Sequence, residues 1–190
     1  GWGFVVVTGG DGDDDDDARE LHESCGPVVC DAAAPVWLGA QRHTNNTGEL
    51  TGLGESIRWL LESDPDKTQP VLLRPDSEYS VGVLTGRVDA EENAELVEQV
   101  RTLPQRLRAQ RKGRVGWSHV RGHSKHKWND RADALADEGR TLSLDRARAT
   151  GRGWARVHEW PANLRTKTMV AAPARATLHI TRTPTHIVAS

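Results

Sequence analysis

Residues 117–139 read W-S-H-V-R-G-H-S-K-H-K-W-N-D-R-A-D-A-L-A-D-E-G. Val115, Trp117 and His119 alternate as on one face of a short strand, and Arg121-Gly122-His123 supplies a turn. Past the turn, Ala132, Leu135 and Ala136 fall at helical spacing. Asn129 is the candidate N-cap, Asp130 and Asp133 stand in the first turns, and Gly139 is the candidate stop. A loop imidazole followed ten residues later by a carboxylate at a helix start can do metal chemistry. The carboxylate is held by the helix, and the imidazole is free to move.

Two stretches upstream belong with this one. T-N-N-T-G-E-L, residues 44–50, reads as a helix start, with Leu50, Leu53, Ile57, Leu60 and Leu61 on one face. V-L-L-R-P-D-S-E-Y-S, residues 71–80, reads as a buried strand that ends at an aspartate and passes into a short helix over Ser77–Leu84. Together the three stretches resemble type 1 ribonuclease H. That family has T-N-N-x-x-E-L at its first helix, D-S-x-Y after a strand, and a G-H loop before N-E-x-A-D-x-L-A. The resemblance covers residues 1–140. It implies an α/β, RNase H-like three-layer fold: a mixed five-stranded sheet with helices on both faces.

The same resemblance implies a chemistry. Phosphodiester hydrolysis needs an activated water and a stabilised leaving oxygen, and two Mg²⁺ ions about 4 Å apart supply both. Oxygen ligands suit this hard cation, with Mn²⁺ as the alternative. Glu49, Asp76 and Asp133 are the expected metal ligands and catalytic acids, and His123 the expected loop residue that assists turnover. Thr44, Asn45 and Asn46 match positions that contact the minor groove of an RNA·DNA hybrid, where the 2′-OH distinguishes RNA from DNA. Read singly, each acid is an ordinary helix-start or turn residue, and one of the asparagines could serve as a cap. The three motifs in order outweigh those readings.

The match departs from the family at its beginning. The family's first acid lies on a first strand that is central in the sheet. G-W-G-F-V-V-V, residues 1–7, resembles the second strand instead, so that first strand is expected to be absent. Pairing Phe4–Thr8 with Asp11-Gly12 is the competing alignment, but it leaves Gly1-Trp2-Gly3 unexplained. A circular permutation does not restore the acid, because residues 151–190 contain no Asp. The expectation is a chain cut from a larger polypeptide that cleaves hybrid poorly by itself. The alternative is a non-catalytic hybrid- or RNA-binding module. The segment after Asp76 is also too short for the basic protrusion by which some members grip hybrid, so weaker affinity is expected.

Composition sets outer bounds. The chain has 190 residues, a formal net charge of −2 and 36% hydrophobic residues, enough for one domain with an extension. Residues 1–50 carry ten acids against two Lys/Arg, whereas residues 141–190 carry two acids against eight. A basic extension over 141–190 without clear periodicity is expected to be poorly ordered and able to track phosphate. Cys25 and Cys30 suggest free thiols and an intracellular protein, and no C-x-x-C spacing supports zinc with His119, His123 and His126. The acidic run at 11–17 lacks the EF-hand pattern. No apolar run reaches membrane-span length. A monomer acting on RNA·DNA hybrid, away from membranes, is the expected form.

Weaker patterns lie between these stretches. Pro27–Cys30 and Val36–Gln41 are strand candidates, and Ala18–Glu23 is ambiguous. Asn93–Gln110 reads as a helix bent or split by Pro104, with Arg101, Arg106, Arg108, Arg111 and Lys112 making its end basic.

Overall fold

Strand β1, Trp2–Val7, is buried along its whole length and divides the core in two. Trp2, Phe4 and Val6 join one apolar cluster with Leu50, Leu53, Ile57, Leu60 and residues farther along the chain. Val5 and Val7 join a second cluster with Trp128, Ala132, Leu135 and Ala136. Alternate side chains of one strand therefore face two helix layers, as the period of two requires. The computed structural model describes residues 1–7, 18–64, 66–89, 92–119, 127–142, 169–173 and 178–180.

The elements follow as β2 (Glu20–Gly26), α1 (Asn45–Glu62), β3 (Val71–Leu73), α2 (Glu78–Leu84), α3 (Ala94–Gln110), β4 (Val115–Trp117), α4 (Lys127–Thr141), β5 (Met169–Pro173) and β6 (Leu178–Ile180). Helices on both faces of a sheet are found, but a single five-stranded sheet is not. The described strands form a four-stranded sheet, β2-β1-β5-β6, and a two-stranded parallel one, β3-β4. Strand β5 pairs antiparallel with β1 and touches both α1 and α4. The place beside β1, expected to be vacant, is thus held by a segment of the basic extension. Residues 143–168 lie outside the described residues.

Strand β2 replaces the two strand candidates that follow it in sequence. Residues 27–41 instead run as irregular chain, with Trp37 Nε1 donating to the Ala40 carbonyl at 2.8 Å. The alternation expected of a strand is hidden in β2 because the polar His22, Glu23 and Ser24 are buried along with Leu21 and Cys25. His22 stacks on Trp59, with ring centroids 4.8 Å apart. Glu23 accepts two hydrogen bonds from the Arg131 guanidinium, at 2.8 and 2.6 Å, which ties β2 to α4. Such charge-assisted pairs make buried polar side chains tolerable.

Helix α3 runs unbroken through Pro104. Helix α4 begins at Lys127 and runs through Gly139 to Thr141, so Asn129 is a buried helix residue and Gly139 no stop. Packing explains Gly139: a Cβ there would lie 2.6 Å from the Gly26 carbonyl oxygen and 2.7 Å from that of Trp2. Gly3 meets Leu135 and Ala136 in the same way. Helix α4 crosses β1 and β2 at backbone contact, which only glycine and alanine permit.

One buried acid carries a pH prediction. Glu55 on α1 is 3% exposed and lines a cavity of about 10 Å³, room for one water, beside Trp2, Leu38 and Thr51. Desolvation pushes its carboxyl from 4.5 up to about 7, although Arg58 at 3.3 Å pulls the other way. A raised folded-state value means the stability is fully present below the unfolded value and is lost as pH rises toward 7. Glu55→Gln is expected to match the wild type in melting temperature at pH 4 and exceed it at pH 8. The gain should be on the order of 3 kcal/mol. Parallel melting curves from pH 4 to 8 in both proteins would sink the idea.

Candidate active site

Thr44 caps α1: its hydroxyl accepts from the Thr47 amide at 3.1 Å. Thr44, Asn45 and Asn46 are exposed at this end, and Glu49 lies one turn further, half-buried. The positive end of the helix dipole favours anions here. Ser77 plays the same part for α2, accepting from the Ser80 amide at 3.1 Å. Its hydroxyl also donates to the Glu49 carboxylate. That bond joins the start of α1 to the end of β3 and ties Glu49 to the residue that follows Asp76.

His119 closes the group from the next strand. Its Nε2 lies 3.0 Å from the Asp76 carbonyl oxygen, and the Ser118 amide donates to the Leu73 carbonyl at 2.8 Å. The parallel register Leu73↔Trp117 sets this alignment, since it places both strand ends at one edge. Burial raises the Glu49 carboxyl above its ordinary value, and the Ser77 hydrogen bond only partly opposes it. Burial and the nearby Glu49 raise the Tyr79 hydroxyl as well.

Ser77 and His119 are the members of this group that the motifs did not single out as ligands. The serine is visible in sequence only as the start of a short helix, and His119 only as a strand residue and an unsupported zinc candidate. Asp133 lies on α4, where Asn129 Nδ2 approaches its carboxylate at 3.4 Å. Among the described residues no three His, Cys, Asp or Glu side chains gather as a metal site. His123 and Asp11 lie outside the described residues. Glu49 and Asp76 suit a hard divalent cation in kind, because both offer carboxylate oxygens at a half-buried edge.

The family model for RNase H matches residues 26–141, a span that contains all three carboxylates and the histidine loop. The chain belongs to the ribonuclease H family. Two curated relatives agree. Ribonuclease H of Cupriavidus necator is 29% identical over 154 residues, covering 73% of this chain and 83% of the relative. Ribonuclease H of Cupriavidus pinatubonensis is 31% identical over 152 residues, with the same coverage. No solved structure matches significantly. In this ribonuclease H domain, no helix among the described residues is long and apolar enough to cross a membrane.

Proposed function

We propose that this ribonuclease H domain hydrolyses the RNA strand of RNA·DNA hybrids with divalent metal, and that Glu49, Asp76 and Asp133 hold it. The observation that carries the reading is the Ser77 bridge, which brings Glu49 and Asp76 to one edge within the family match. Mg²⁺, two ions on the pattern of the resemblance, would supply Lewis acidity and an activated water. The rest is done by the chain. Ser77 orients the Glu49 carboxylate, and His119 holds the backbone of Asp76 in place. Thr44, Asn45 and Asn46 present polar side chains at the helix start, where a minor-groove 2′-OH can be read. His123 assists product departure.

A second reading is a hybrid-binding module without turnover. It is favoured by the lack of a three-ligand cluster among the described residues and by β5, whose M-V-A-A-P carries no carboxylate. One experiment separates the two. A labelled hybrid and the same RNA single-stranded are incubated with the chain in Mg²⁺, Mn²⁺ or chelator. Metal-dependent cleavage of the hybrid alone is expected, at a modest rate because β5 brings no fourth acid. Metal-independent binding without cleavage in either metal would establish the module.

A further inference from the structure

Between Glu98 and Asp130 the chain contains no acidic residue, yet it holds nine Lys or Arg in a protein of net charge −2. Two of the nine are engaged internally. Arg111 is buried against Asp64, and Arg101 bonds the Val88 carbonyl and Asp89. Four others, Arg106, Arg108, Lys112 and Arg114, are exposed and have no ion-pair partner among the described residues. They lie on the last turns of α3, in the turn that follows, and at the start of β4. Strand β4 has only β3 as a neighbour among the described strands, so this is a lateral face.

The face leads to the site. Arg108 lies 4.5 Å over the ring of Trp117, the last residue of β4. Two residues on, His119 reaches Asp76. A three-residue strand spans about 10 Å. A duplex carries a phosphate charge about every 1.7 Å of its axis, so a face of this length meets several phosphates within a few base pairs. Stacking on Trp117 holds the guanidinium plane and leaves its edge for phosphate oxygens.

We propose that this face is a second binding surface, taking the sugar–phosphate backbone of the duplex that flanks the cleavage site. It rests on the ribonuclease H reading of that site. It also supplies the grip for which the short segment between α2 and α3 has no room.

The test is fluorescence anisotropy of a labelled 24-base-pair hybrid, titrated in chelator from 50 to 200 mM salt. The quadruple variant Arg106→Ala, Arg108→Ala, Lys112→Ala, Arg114→Ala is compared with wild type and with Arg140→Ala, an exposed cation on α4. The slope of log affinity against log salt should fall by about 0.9 for each phosphate no longer neutralised, roughly three in all, while Arg140→Ala leaves it unchanged. Arg108→Lys should keep the slope but bind about threefold more weakly, since it loses the stacked plane. An unchanged slope in a folded quadruple variant that still binds hybrid overturns the proposal and leaves the site reading standing. No binding by the wild type at 50 mM salt overturns both.

Discussion

Glu49→Gln is expected to lower metal-dependent hybrid cleavage at least about 100-fold, with a melting temperature equal to or slightly above wild type. Residues that merely support a metal ligand already cost 10- to 100-fold when removed, and a ligand costs no less. The amide keeps the shape of the side chain and a partner for Ser77, but it cannot give anionic oxygen to a cation. Removing a carboxylate that burial already penalises costs the fold nothing. Asp76→Asn should act alike. Ser77→Ala should cost about tenfold in rate, because it releases Glu49, and about 1 kcal/mol in stability, because it uncaps α2.

The pH profile separates a ligand from a bystander. Burial raises the Glu49 carboxyl, so a proton competes for it at a higher pH than for an exposed glutamate. Cleavage should therefore fade on acidification while ordinary carboxylates are still ionised. Raising the Mg²⁺ concentration should move the fading limb to lower pH, since proton and cation exclude one another. A limb that ignores metal concentration, or a Glu49→Gln variant with wild-type rates, would remove Glu49 from the site.

Arg111→Ala should destabilise the protein by about 3–5 kcal/mol, roughly 10 °C or more in melting temperature. Arg111 and Asp64 meet at 2.6 Å with both side chains fully buried. The same guanidinium donates to the carbonyls of Asp66 at 2.9 Å and Gln69 at 3.0 Å. The substitution strands a buried carboxylate without its cation and leaves two carbonyls without their donor. The damage reaches function because this knot joins the chain entering β3 to the chain entering β4. The Lys112 and Gly113 amides also donate to the Lys67 carbonyl there. Arg111→Lys keeps the charge but not the fork, so its loss should be intermediate. The double variant Asp64→Leu, Arg111→Met removes both charges and should recover part of the stability, but not the two carbonyl bonds. Thermal unfolding of the four proteins checks this; a drop under about 2 °C for Arg111→Ala would show that the knot holds little.

Periodic apolar positions made most of the elements legible in the sequence. Leu50, Leu53, Ile57 and Leu60 mark α1, Val71–Leu73 mark β3, and Leu96, Val100, Leu103 and Leu107 mark α3, all as found. Burying one face is a property of spacing along the chain, so sequence suffices for it. The motif residues Glu49, Asp76 and Asp133 were legible for another reason, as a pattern shared with a family.

Strand β2 was not legible, because His22 and Glu23 are buried only by virtue of Trp59 and Arg131, residues distant in sequence. The helical role of Gly139 was hidden likewise. Glycine reads as a stop until the backbone of β1 and β2 is seen to press against it. Pairing of β5 with β1 depends on an unfilled strand edge between two helix layers, and no local signal in M-V-A-A-P announces that. The sequence by itself determined which segments are amphipathic, and it offered Glu49, Asp76 and Asp133 through their resemblance to a family pattern. Only the tertiary structure decided that Ser77 joins Glu49 to the end of β3 and that His119 backs Asp76. Those relations are distances between elements, set by packing and register rather than by any window of the chain.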